Sequence, residues 1–318
     1  MGPTMRQILA AQRFLSGYLP RTPLYRSAAL SARTGAEVWV KYENHGPIGS
    51  FKARGALNSV ASLDPATRAR GIVTASTGNH GLGCAYAARL LGGRATVYVP
   101  EGANPDKVAM IREQEGEVVY HGRDVDEARA EGLRRAEAES RFFLEDGSNV
   151  PLIAGAATIA LEIAQDLPHL DALFYPLGNG ALVGGAGVVL RALAPGTRVV
   201  AVQSEAAPSM YLSWRERRPV GTATADTFAD GIATRDPIPY AVELVNEVVD
   251  EVMLVSEAEL RAGVRLLLET THNLAEGAGA AALGGLLRQV DQYQEKTVVI
   301  LLSGGNLTMP MLREILAE

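Results

Sequence analysis

Short, nearly uninterrupted apolar runs bounded by glycine or polar residues recur along the whole chain, at 37–41, 71–75, 95–99, 117–120, 142–144, 172–177, 198–202 and 297–302. A strand that is apolar on both faces must be covered on both faces. That is the condition of a parallel sheet clad in helices, not of a half-solvated antiparallel one. The segments between the runs, such as 80–91 and 106–115, carry apolar residues at helical spacing. Strand–helix–strand units wound in one sense follow from this alternation. The runs are too many for one comfortable sheet. The expected fold is therefore α/β, with two doubly wound, mostly parallel-sheet domains. No internal repeat or low-complexity linker marks a boundary.

Composition narrows the class of function. A chain of 318 residues, 47% hydrophobic and 21% charged, has the make-up of a globular protein with a large core. Its net charge of −6 is spread without a basic block, so nucleic acid is not an expected partner. The single cysteine, Cys84, excludes an intramolecular disulfide framework and fits a reducing compartment. The start, Met5-Arg6-Gln7-Ile8-Leu9, reads as an amphipathic helix rather than a signal peptide. No uncharged apolar run reaches membrane-spanning length. The expectation is a cytoplasmic protein with no membrane partner.

Three of the strands run into small, polar turns: Ser76-Thr77-Gly78-Asn79-His80-Gly81, Gly178-Asn179-Gly180-Ala181-Leu182, and Ser303-Gly304-Gly305-Asn306. Ligands of open α/β sheets bind beyond the carboxyl ends of the strands, so these turns are expected to share a cleft. The Gly178 turn suits a phosphate, because small residues at a helix start expose backbone N–H groups and a positive dipole end. It also approaches the dinucleotide pattern G-x-G-x-x-G. Val183 stands where the third glycine belongs, and Glu205 follows roughly where a ribose-binding acid would stand. A nicotinamide oxidoreductase is thus a competing reading. The hydroxyls and amide of the Ser76 turn exceed what one helix cap needs and suit a carboxylate. His80 there reads first as a positioning or satisfied helix histidine. Glu276 is either a charge at a helix start or a pocket group. Lys52, in Gly49-Ser50-Phe51-Lys52-Ala53-Arg54-Gly55, stands where an extended segment turns into a helix. An amine in a partly dry pocket there would be a candidate for Schiff-base chemistry.

Taken in order, these runs resemble the fold-type II enzymes that use pyridoxal 5′-phosphate (PLP), in particular the serine/threonine dehydratase and serine racemase group. The stretches Lys41-Tyr42-Glu43-Asn44, Gly49 to Ala56, Ser76 to Gly81, Pro176 to Leu182, Ala229-Asp230-Gly231, Ala275 to Gly279 and Ser303 to Asn306 span nearly the whole chain. The resemblance implies a cofactor in the cleft between two domains. Residues 1–50 and 149–318 would form a large PLP-binding domain, and 51–148 a small substrate-binding domain. Lys52 would anchor PLP covalently and move protons at Cα, with Thr77 on the far face as a second catalytic hydroxyl. Phe51, Asn79, Glu276, Ser303 and Asn306 would surround the cofactor ring. Gly178, Asn179, Gly180, Ala181 and Leu182 would hold its phosphate, and Ser76, Thr77, Gly78 and His80 the substrate carboxylate. A neutral hydroxyl at the pyridine nitrogen suits β-elimination. The implied reaction is dehydration and deamination of L-threonine, L-serine or a 3-substituted serine to a 2-oxo acid and ammonia. Racemisation and β-replacement are alternatives on the same fold, and a homodimer is implied.

The chain departs from this pattern at several points. The phosphate loop carries Asn179 and Ala181 where glycines are usual, so both must tolerate the loop's backbone angles. Gln203 and Ser209 replace the acids of the relatives' cation site, and no metal is expected. Ser209, Met210, Tyr211 and Phe228 are candidates for the side-chain pocket without assigned roles.

Overall fold

The structure is a computed structural model describing residues 2–318. Ten strands form two sheets. They are β1 (Leu24–Arg26), β2 (Glu37–Tyr42), β3 (Ile72–Ala75), β4 (Ala95–Val99), β5 (Glu117–Tyr120), β6 (Phe142–Phe143), β7 (Ala172–Pro176), β8 (Arg198–Ser204), β9 (Glu251–Val255) and β10 (Thr297–Leu302). The larger sheet has the order β1-β2-β10-β7-β8-β9, the smaller β5-β4-β3-β6. Every pairing is parallel except that of the three-residue edge strand β1 with β2. The apolar runs are the strands, and β4, β7 and β10 are buried along nearly their whole length, as expected of parallel strands clad on both faces.

The small sheet is drawn entirely from chain between Ile72 and Phe143, and the large one from chain on either side of it. Two strands have no counterpart in the expected set. β1 is short and half exposed, and β9 opens on Glu251 after an acidic stretch that masks its period. β8 runs on to Ser204, beyond the last apolar residue, because buried Gln203 and Ser204 continue the ladder to β9. The helices Asn79–Leu90 and Pro105–Glu113 stand where their spacing predicts them.

The lysine's helix, Lys52–Ser62, lies along the nearly all-apolar helix Val150–Asp166. Asn149 caps the second helix by accepting from Leu152 N at 2.8 Å, and it also accepts from Ser59 Oγ at 3.1 Å. One side chain thus ends one helix and ties it to the other. Beneath them lies a closed ionic cluster. Arg54 Nη1 and Lys41 Nζ both donate to Glu162 at 2.6 Å, and Arg54 Nε donates to Glu43 at 2.8 Å. Cys84 is fully buried, and burial pushes its thiol well up, so it packs as a small hydrophobe.

Candidate active site

A cavity of about 540 Å³ opens between the two sheets at the carboxyl ends of their strands. Lys52, the first residue of its helix, projects into it, with Nζ 5.1 Å from the Phe51 ring centroid. Phe51 N donates to Ser303 O at 3.0 Å, and Ser50 bridges Gly304, so the lysine's turn is bonded to the end of β10. Ser303, buried, also lines the cavity.

The Gly178 turn forms the wall beside the lysine. A Cβ at Gly178 would lie 2.5 Å from Gly231 O, too close for any side chain. Gly180 has φ of +85° and caps the helix Ala181–Leu193. The left-handed angle therefore falls on a glycine. Asn179 and Ala181, expected to bear the loop's unusual angles, have no positive φ, so the departure from an all-glycine loop costs no backbone strain. The first N–H groups of that helix, at Ala181 and Leu182, have no intrahelical acceptor, and both residues line the cavity.

Opposite lies the Ser76 turn. Ser76 Oγ accepts from Gly78 N at 3.2 Å, and Thr77 lines the cavity at the start of the helix Asn79–Leu90. The Asn79 amide accepts from Asn306 Nδ2 and donates to Glu276 Oε1, both at 2.7 Å, leaving one amide N–H free. Asn306 is not on the cavity surface. It also donates to Ile48 O at 2.9 Å, so it braces Asn79 from behind. Glu276 is buried, which raises its carboxyl from 4.5 to about 7, and repulsion from Asp230 adds to the rise. His80 is buried too. Its Nε2 lies 3.1 Å from Leu144 O, an acceptor, so that nitrogen carries the proton. Burial lowers its pKa, and the ring is neutral.

One residue absent from the sequence reading completes the site. Asp146, in the turn after β6, accepts from Lys52 Nζ at 2.5 Å and from Asn179 Nδ2 at 3.4 Å. One carboxylate oxygen thus touches both the lysine and the phosphate-type turn. Burial opposes its ionisation, yet Lys52 and these hydrogen bonds outweigh that and bring it down to about 2. Glu145-Asp146-Gly147 is, like the three turns above, a polar turn at a strand's carboxyl end, and that signal would have found it. Across the mouth, Lys107 pairs with Asp230 and Arg235 with Asp126, joining the small-sheet side to the loop at 230–239.

Other candidates fall elsewhere. Ser209, Met210, Tyr211 and Phe228 do not line the cavity; Ser209 and Met210 are core, and Ser209 Oγ donates to Thr234 O at 2.5 Å. Glu205 pairs with Arg288 at 2.8 Å on the surface, away from the Gly178 turn, so the nicotinamide reading loses its ribose-binding acid. Among the described residues no group of three or more His, Cys, Asp or Glu is placed to hold a metal ion.

The residues present fit PLP. A glycine-containing turn at a helix start faces its phosphate, an amine stands within one carboxylate of that turn, and a buried hydroxyl and a free amide N–H are available to the ring. Comparison with known proteins agrees. Residues 15–304 match the family described as pyridoxal-phosphate dependent enzyme. An L-threonine ammonia-lyase from Thermotoga maritima is 39% identical over 98% of this chain and 78% of that protein. Among solved structures, tomato threonine deaminase isoform 2 superposes with a TM-score of 0.92 and 28% identity, over 99% of this chain and 94% of the other. Maize serine racemase superposes with 0.92 and 26%, over 100% and 98%. The chain belongs to the fold-type II pyridoxal-phosphate-dependent enzymes, in the serine/threonine dehydratase group.

Proposed function

We propose that the protein is an ammonia-lyase that eliminates water from a small β-hydroxy amino acid, L-threonine or L-serine, and yields a 2-oxo acid and ammonia. The observation that carries this reading is the convergence of Lys52, the Gly178 turn and Ser303 on one cavity, in a chain 39% identical to an L-threonine ammonia-lyase.

PLP, when bound, supplies an electron sink for the bond broken at the substrate's Cα. Lys52 would hold it, and the N–H groups of residues 178–182 would receive its phosphate. Ser303 would be an uncharged partner for the ring nitrogen, Asn79 would offer its free N–H to the ring hydroxyl, and Phe51 would flank the ring. Ser76, Thr77, Gly78 and the backbone of His80 bind the substrate carboxylate at a helix start. The Lys52 amine would take the Cα proton, which offsets the proton that leaves with the β-hydroxyl as water, and the released enamine would take up water to give the 2-oxo acid and ammonia. Buried Glu276 and Asn306 fix the Asn79 amide from the other side.

Residues 51–148 act in this reading as a small substrate-binding domain against 1–50 and 149–318. A homodimer and a cytoplasmic setting complete it, the latter supported by the single buried cysteine. No helix among the described residues is long and apolar enough to cross a membrane. Purified holoenzyme given L-threonine or L-serine is expected to release equimolar 2-oxo acid and ammonia. Recovery of unconsumed amino acid with inverted Cα would instead favour a racemase, the reading that the Thr77 hydroxyl and the likeness to maize serine racemase support.

A further inference from the structure

Asp146 holds more acceptor capacity than the protein satisfies. Its Oδ2 is bonded to Lys52 and Asn179, but its Oδ1 is buried and no donor of the protein reaches it. His80 Nδ1 lies 3.9 Å from it. The proton of that imidazole is on Nε2, held by Leu144 O, so Nδ1 presents a lone pair. Two acceptors therefore face each other in the cavity wall with no hydrogen between them. A buried acceptor pair of this kind is costly unless a donor arrives.

The position says which part of a substrate arrives there. The base that removes the Cα proton must come within about 3.5 Å of Cα. Asp146 Oδ2 lies 2.5 Å from that base, Lys52 Nζ. A substituent on Cβ, one bond from Cα, falls in the same neighbourhood. We propose that Asp146 Oδ1 and His80 Nδ1 form the side-chain subsite, which receives a hydrogen-bond donor on Cβ and turns away a carboxylate. This rests on the ammonia-lyase reading and narrows it. Substrates with a β-hydroxyl and no side-chain carboxylate, serine and threonine, are accepted, and 3-hydroxyaspartate is rejected. Asp146 is then a specificity-determining residue. Its neighbour Glu145 is paired with Arg129.

The test uses holoenzyme and amino acids that have no Cα proton to lose, with binding read from the cofactor's visible absorbance rather than from turnover. α-Methylserine offers the donor, 2-aminoisobutyrate is the same molecule without the hydroxyl, and α-methylaspartate offers a carboxylate. α-Methylserine is expected to bind at least about tenfold more tightly than either. Asp146→Leu abolishes that preference. Asp146→Asn, which keeps shape and one acceptor but no charge, retains α-methylserine within a few fold and gains α-methylaspartate. If wild type binds α-methylaspartate as well as α-methylserine, or if Asp146→Leu or Asp146→Asn keeps the full wild-type preference, the assignment is overturned. If the binding preference holds yet serine and threonine release no 2-oxo acid, the subsite stands and the ammonia-lyase reading falls.

Discussion

Lys41 and Lys52 are eleven positions apart and both ion-paired, yet they sit in opposite kinds of environment. Lys41 is 0% exposed and donates to Thr22 O at 2.8 Å and Glu162 at 2.6 Å. Arg54 closes the cluster against Glu43 and Glu162, so two cations meet two carboxylates and the remaining lone pairs are taken up by Thr22. Burial lowers the Lys41 pKa, and attraction to Glu162 and Glu43 opposes the fall. Lys52 is 15% exposed, faces a cavity, and has a single carboxylate partner whose second oxygen is unmet. A saturated cluster can only hold the fold. An unsaturated one holds acceptors and an amine in readiness for a ligand. Burial and ion pairing do not separate a structural lysine from a functional one, whereas unmet hydrogen-bonding capacity beside a cavity does.

The sharpest way to break the comparison is to exchange roles. Lys52→Ala should lower turnover by about 10³-fold or more. It should also remove the visible absorbance near 410–420 nm, roughly where lysine-bound PLP absorbs, while thermal unfolding stays cooperative. Arg54→Met should do the reverse, leaving two buried carboxylates with one cation. A loss of about 3–5 kcal/mol in denaturant unfolding is expected, with near-normal specific activity in what remains folded.

Glu276 gives a third, pH-dependent contrast. Its folded pKa, about 7, lies above the usual 4.5, so its contribution to stability is complete below pH 4.5 and is lost as pH rises through about 7. The displacement corresponds to about 3 kcal/mol. Glu276→Gln should lack this slope, so its unfolding free energy relative to wild type should improve from pH 5 to pH 8. The smallest effect belongs to the mouth. Arg235→Ala should cost less than about 1 kcal/mol, as befits a partly exposed pair, and raise amide exchange in residues 230–239.

What the sequence disclosed and what it hid follow from range. The apolar runs disclosed the buried strands other than β9, because burial on both faces leaves a mark in each strand's own residues. β1 left none, being a half-exposed edge, and the apolar run of β9, Val252 to Val255, is preceded by Asp250 and Glu251. Gly178, Asn79 and Ser303 were legible because each follows a strand's carboxyl end, where parallel topology collects ligands, and Lys52 because it opens a helix. Asp146 obeys the same rule after the run at 142–144, but its turn, Glu145-Asp146-Gly147, is acidic and lacks the run of small residues that marks the other three. The bracing role of Asn306 and the partnership of Arg54 with Glu162, 108 positions away, exist only in three dimensions. Which loop residue takes φ of +85° was likewise decided by packing, and it fell on Gly180.

The central claim is that Lys52, not its saturated neighbour, carries the cofactor. Reduction of holoenzyme with borohydride, digestion and peptide mass spectrometry would locate the bond. The account predicts a reduced pyridoxyl group on the peptide containing Lys52 and none on that containing Lys41. Modification at Lys41 or any other lysine, or none in an enzyme that turns over, would contradict it.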